Sequence, residues 1–211
     1  MDHGALLGLG QVLTFLGAAV AVTLAPGPDN LMVLSLGAAR GPKAGMAFGI
    51  GCGVGCLSHT ALAAAGVSAL IAASPTAFLT LKLAGGLYLI WLGIQVLRHP
   101  AMDKAPAAMT GDARALFLRG VLANAVNPKV IVFFLAFLPQ FVVVERGQTA
   151  LQTLVLGTLF ALQAAGLFAL VGLFAGHLGQ SLSRHPAAGR WLNRLAGATF
   201  VGIGAKLALG R

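Results

Sequence analysis

Ala25-Pro26-Gly27-Pro28-Asp29-Asn30 interrupts an otherwise apolar run with two prolines, a glycine and an acid. Each proline removes a backbone N–H and disfavours helix in the turn before it, so the chain is expected to unwind here. In hydrocarbon, irregular backbone survives only when buried in protein or lining a water-filled cavity. An ionisable side chain at that depth marks a substrate or ion path.

The surrounding sequence puts the segment in a membrane. Of 211 residues, 58% are hydrophobic and 9% charged, and mean hydropathy is +0.89, whereas soluble domains carry about 25% charged residues. Apolar stretches fall at 6–39, 44–73, 75–97, 115–144, 149–176 and 190–209, each long enough for the roughly 20 residues that a spanning helix needs. The expected fold is an all-α membrane protein of six transmembrane helices, 1–211 forming one transmembrane domain. No Lys or Arg precedes Arg40, so the first helix is expected to be retained rather than cleaved as a signal peptide. The net charge of +9 is spread singly, without the basic patch of a nucleic-acid binder. With Lys82, Lys129 and Arg194 counted as intramembrane, 11 of 14 basic residues orient the chain, and an 8 to 3 split favours both termini outside the cytoplasm.

Two stretches exceed one straight span. Residues 6–39 would make a helix of about 51 Å. Pro26 and Pro28 break the first, and Asn127-Pro128 breaks the fourth. Pro28 and Pro128 are 100 residues apart, and residues 61–70 match 161–170 at seven of ten positions. Lys82-Leu83-Ala84-Gly85-Gly86-Leu87-Tyr88 is echoed 112 residues on by Arg194-Leu195-Ala196-Gly197-Ala198-Thr199-Phe200. Three helices per copy reverse the direction of entry, so the copies are expected to be inverted repeats, 1–97 and 115–211, joined by a polar linker at 98–114. Such folds bind at the midplane between broken helices.

The candidate binding residues for substrate or proton are Pro26, Gly27, Pro28, Asp29, Asn30, Lys82, Asn127, Pro128 and Lys129. Asp29 falls at the N-terminus of the resumed helix, where it could simply cap; a neutral cap would cost less desolvation. Lys129 lies near the middle of its stretch, either as a carboxylate-binding base or as a counter-ion to Asp29. Lys82 is close enough to a helix start to snorkel, and Arg194 reads better as interfacial. Cys52, Cys56 and His59 share one face of the second helix. Soft-metal binding is conceivable from those groups, but packing and one polar contact explain them more simply. No nucleophile, base and orienting acid can be assembled, so an enzyme is not expected and no cofactor is implied.

Three motifs in order carry a resemblance: Ala25-Pro26-Gly27-Pro28-Asp29-Asn30; Leu81-Lys82 with Ala84-Gly85 and Tyr88-Leu89-Ile90-Trp91-Leu92-Gly93; and Asn127-Pro128-Lys129 with Phe133-Phe134 and Leu138-Pro139-Gln140-Phe141. Together they resemble the lysine-exporter superfamily of bacterial inner-membrane amino-acid exporters, over essentially the whole chain. The acid after Pro-Gly-Pro is closer to the homoserine and threonine efflux branch than to the basic-amino-acid exporters. The resemblance implies amino-acid export across the inner membrane, driven by the proton gradient, with a homodimer as the assembly. Asp29 would then receive an ammonium group or a proton, and Lys129, with Lys82, a carboxylate. Two rivals are weighed against it. A membrane thiol oxidoreductase of related six-helix architecture wants one cysteine in each half, whereas the positions 100 residues after Cys52 and Cys56 are Gln152 and Leu156. A metal-cation exporter wants more acidic or His ligands than Asp29 and His59.

Overall fold

Proline punctuates the structure. In the computed structural model, which describes residues 6–25, 27–98, 109–177 and 186–209, five helices begin on a proline, where the missing N–H costs nothing and the fixed φ is already helical. The helices are α1 (Leu9–Leu24), α2 (Pro28–Arg40), α3 (Pro42–Ala73), α4 (Pro75–Arg98), α5 (Ala113–Ala125), α6 (Pro128–Val132), α7 (Thr149–Leu173) and α8 (Pro186–Leu209). Gly41, at φ 91°, ends α2 in a conformation that favours glycine and lets α3 start at once. After α6 the chain continues as a π-helical turn, Phe133–Phe137, and a 3-10 turn, Leu138–Phe141. Pro139 cannot donate to the ladder here, and the Gln140 side chain donates to the Ala136 carbonyl instead, at 3.0 Å.

All six apolar stretches are helical, and both long ones are bent. α1 and α2 meet at 60°, and α5 meets the α6 segment at 51°. Among the described residues, three helices are long and apolar enough to cross a membrane, in α3, α4 and α7, and the two bent pairs raise that to five if each is one span. α8 has 24 residues but includes Arg190, Arg194 and Lys206. No strand occurs among the described residues. The outer surface suits lipid: Leu62, Leu87, Leu122 and Leu162 are each more than 60% exposed.

Without a hydrophobic drive between helices in lipid, close approach depends on small residues. Along α3 and α7, Gly45 meets Gly172, Gly49 meets Phe168, Gly53 meets Ala165, and Thr60 meets Gly157, so the two helices run antiparallel. α4 and α8 do the same, with Gly86 against Gly204 and Gly93 against Gly197. α5 joins α3 where Gly51 lies on Phe117 and Gly120 on Phe48. A methyl group at these glycines would collide with the facing chain. The remaining space beside α1 and α7 is filled by Phe15, Phe133, Phe134 and Phe160, with Phe133 and Phe160 centroids 4.7 Å apart.

Most of the polar linker, 99–108, lies outside the described residues, as does Pro26. The linker's described end is held by basic side chains: Arg40 donates to the Met109 and Gly111 carbonyls at 2.8 and 2.7 Å, and Arg119 to the Thr110 carbonyl at 2.6 Å.

Candidate functional site: two broken helices around a narrow cavity

In an α-helix the carbonyl of residue i accepts from the N–H of residue i+4. Position 26 is proline, so the Val22 carbonyl has no such donor. Lys129 supplies one: its Nζ donates to the Val22 carbonyl at 3.2 Å and to the Ala25 carbonyl at 3.1 Å. The ammonium thus sits at the negative end of the α1 dipole. The next carbonyl, of Thr23, accepts from Asn30 Nδ2 at 2.9 Å. Gly27, in extended conformation, caps the start of α2. A Cβ added there would lie 3.1 Å from Lys129 Nζ, so the absence of a side chain gives the lysine its room.

Asp29 occupies the first turn of α2, where the helix dipole favours a negative charge. It is only 2% exposed, and its Oδ2 accepts from Asn124 Nδ2 at 2.9 Å. Asn124 is itself four residues before a proline, so Pro128 frees its carbonyl. That oxygen takes a hydrogen bond from the Asn127 N–H at 2.9 Å and pairs with His59 Nε2 at 3.1 Å. A carbonyl can only accept, so His59 carries its proton on Nε2. Asn127 caps α6 with its Oδ1, which accepts from the Lys129 N–H at 3.0 Å.

Asp29, Thr23, Asn124, Cys56 and Lys129 supply the polar lining of a narrow cavity, and Val22, Val130, Phe160, Ala164 and Phe168 its apolar lining. The space admits roughly one water-sized sphere, less than an amino acid requires. Among the described residues no contact ion pair joins Lys129, 4% exposed, to Asp29.

Of the residues assigned from the sequence, Asp29 and Lys129 meet at this cavity; Gly27 caps α2, Asn30 holds the Thr23 carbonyl and Asn127 caps α6 beside it. Pro28 is exposed and Pro128 is exposed; both act through the donors they lack. Lys82 is half-buried on α4 and is not among the lining residues. Arg194 is exposed on α8, in keeping with the interfacial reading. Cys52 and Cys56 are free, buried thiols on one helix, and Cys56 Sγ lies 3.4 Å from Asn124 Oδ1 as a donor. No group of three metal-ligating side chains forms among the described residues. Gln152, at the position 100 after Cys52, holds the 143–147 loop: its Nε2 donates to the Val143 and Gly147 carbonyls and its Oε1 accepts from the Val143 N–H.

Thr23, Asn124, Cys56, His59 and Gln163 complete the polar surround. Counting four residues back from each proline would have pointed to Val22 and Asn124, and Gln163 is a polar residue within an apolar span.

A family model for LysE type translocators matches residues 20–211. The chain is 37% identical over 202 residues to an uncharacterized membrane protein of Vibrio cholerae, covering 93% of this chain and 95% of that one. It is 32% identical to a leucine efflux protein of an Enterobacter species, over 92% of this chain and 93% of that one. A leucine efflux protein of Salmonella typhimurium is 32% identical with the same coverage. No solved structure matches. The relatives quoted with an activity in their names are leucine efflux proteins. The chain belongs to the LysE type translocator family, and it is a multi-pass membrane transporter rather than an enzyme.

Proposed function

We propose that this chain exports amino acids with small to medium aliphatic side chains across the bacterial inner membrane, in exchange for protons. The observation that carries the reading is one cavity shared by an acid from one bent helix pair and a base from the other, beside an apolar wall. A free amino acid has a matching form: an ammonium, a carboxylate and a side chain. The leucine exporters among the relatives support the same class.

In this reading Lys129 receives the carboxylate. Its ammonium now holds the Val22 and Ala25 carbonyls, so an incoming carboxylate competes for those hydrogen bonds and loosens the end of α1. Asp29 receives the ammonium in one phase of the cycle and a proton in the other, which makes its protonation the coupling step. Six spans in two inverted repeats, 1–97 and 115–211, provide the frame. The antiparallel pairing of α3 with α7 and of α4 with α8 supports that frame, because corresponding helices of an inverted repeat meet in this sense. Alternating access then follows from rocking one repeat against the other around the fixed site. Both termini face away from the cytoplasm, and the assembled form is a homodimer.

The test is transport in proteoliposomes loaded with labelled leucine. The unaltered protein is expected to release leucine faster when an inward proton gradient is imposed. Asp29→Asn, which also weakens the contact to the ammonium, is expected to slow leucine exchange at equal pH on both sides and to leave the remaining release indifferent to the gradient. Acceleration that persists in the variant removes Asp29 from the coupling step.

A further inference from the structure

Two amides lie beside this cavity with their oxygens unused. Asn30 is 8% exposed, and its Nδ2 donates to the Thr23 carbonyl at 2.9 Å. Because that partner can only accept, the orientation of the amide is fixed and its Oδ1 is turned elsewhere. Gln163, from α7, donates its Nε2 to Thr23 Oγ1 at 2.8 Å. Asn30 Oδ1 and Gln163 Oε1 are both fully buried and have no hydrogen-bond partner among the described residues. Buried polar atoms are nearly always paired, so the unpaired Asn30 acceptor, and a Gln163 amide whose hydroxyl partner serves only one of its two ends, call for a partner that is not part of the chain.

We infer that Asn30 and Gln163 form, with Asp29, the subsite for the primary ammonium of the substrate. The inference rests on the amino-acid reading above and adds the group that measures the amine. A primary ammonium carries three N–H donors. One Asp29 oxygen is engaged by Asn124, and the carboxylate alone leaves an ammonium short of partners on its other sides. The two amide oxygens supply neutral acceptors next to it: Asn30 follows Asp29 in the chain, and Gln163 adjoins Ala164 in the cavity wall. Neither amide lines the cavity in its present narrow form, whereas Thr23, which both hold, does. Widening of the cavity to admit substrate brings the ammonium to them. A subsite of this kind selects by counting N–H groups, since an analogue that lacks one leaves an acceptor buried and unpaired.

The experiment is leucine counterflow in proteoliposomes, competed with N-methylleucine and with 2-hydroxy-4-methylpentanoate. The unaltered protein is expected to prefer leucine to N-methylleucine by about tenfold, the scale of one hydrogen bond to a charged group. The hydroxy acid is expected to lose about 100-fold or more. Gln163→Met removes the acceptor at similar volume; it should weaken leucine about tenfold and bring the preference over N-methylleucine close to unity. Gln163→Glu keeps an acceptor and should retain the preference. A purely structural role for Gln163 would lower the unfolding temperature in detergent and leave the ratio of the two amines unchanged; that result overturns the subsite alone. No leucine exchange by the unaltered protein overturns the amino-acid reading and the subsite with it.

Discussion

The two helix breaks are built on the same plan and closed in opposite ways. Positions 27, 28 and 29 are Gly, Pro and Asp; 100 residues later they are Asn, Pro and Lys. At the second break, Asn127 caps the new helix with its own side chain and its N–H meets the freed Asn124 carbonyl, so the chain largely satisfies itself. At the first break, the N-cap glycine has no side chain to offer a hydrogen bond. The exposed end of α1 is held by Lys129, 104 residues from Ala25. The second break is therefore closed mainly from within, with His59 adding to it, whereas at the first Asn30 holds the Thr23 carbonyl locally and the Val22 and Ala25 carbonyls take their donor from across the molecule. The second can keep its shape while the first depends on where Lys129 is, which suits the first to be the part that responds to substrate.

The largest effect is expected from breaking the distant closure. Lys129→Met should leave Asp29 and two carbonyls without their cation. Leaving the two buried carbonyls without their donor costs about 1–3 kcal/mol each, which an unfolding measurement in detergent will register. Leucine efflux should fall by at least about 100-fold. Adding Asp29→Asn to this variant should restore part of the stability and none of the transport, because it removes the uncompensated acid without returning the base. Recovery of transport in the double variant would show that the pair is only structural.

Gly27→Ala sharpens the comparison at smaller scale. The added methyl would stand 3.1 Å from Lys129 Nζ, and the flexible end of the lysine can retreat by only a few tenths of an ångström before its carbonyl contacts lengthen. Efflux is expected to drop about tenfold, with the unfolding temperature nearly unchanged. At the corresponding position of the self-closing break, Asn127→Ala should do the reverse: it removes an N-cap worth about 1 kcal/mol and lowers stability, while efflux falls only a few-fold. Equal effects at the two positions would erase the distinction between the breaks.

Much of this was legible in the sequence because proline and charge leave marks that survive without coordinates. The breaks at Pro28 and Pro128, the acid at Asp29 and the base at Lys129 all follow from residues that are costly in hydrocarbon. The partners were harder to read. Lys129 finds backbone carbonyls, which have no letter of their own, and their exposure follows only from counting back from Pro26 to Val22. Asn124 and His59 meet across two helices whose mutual register is set by glycine contacts such as Gly55 on Val121. Thr23 and Gln163 are 140 residues apart, and neither belongs to a motif. Lys82 stood out by charge alone; charge gives no depth or direction, and the residue is not among those lining the cavity.

The glycine contacts between α3 and α7 carry a mechanical consequence. A seam in which one methyl group would collide is too close to slide, since translation along it would drive Phe168 and Ala165 into the facing backbone. In the proposed transport cycle it would serve as an axle. The contacts run from Gly45 with Gly172 to Thr60 with Gly157, so the axle spans much of both helices, and what remains to the molecule is a small turn about it. A turn of that kind moves parts in proportion to their distance from the axis. The bent pairs α1–α2 and α5–α6 then act as the lever arms, and the polar cluster at their breaks is where a slight rotation of the frame becomes an opening or a closure.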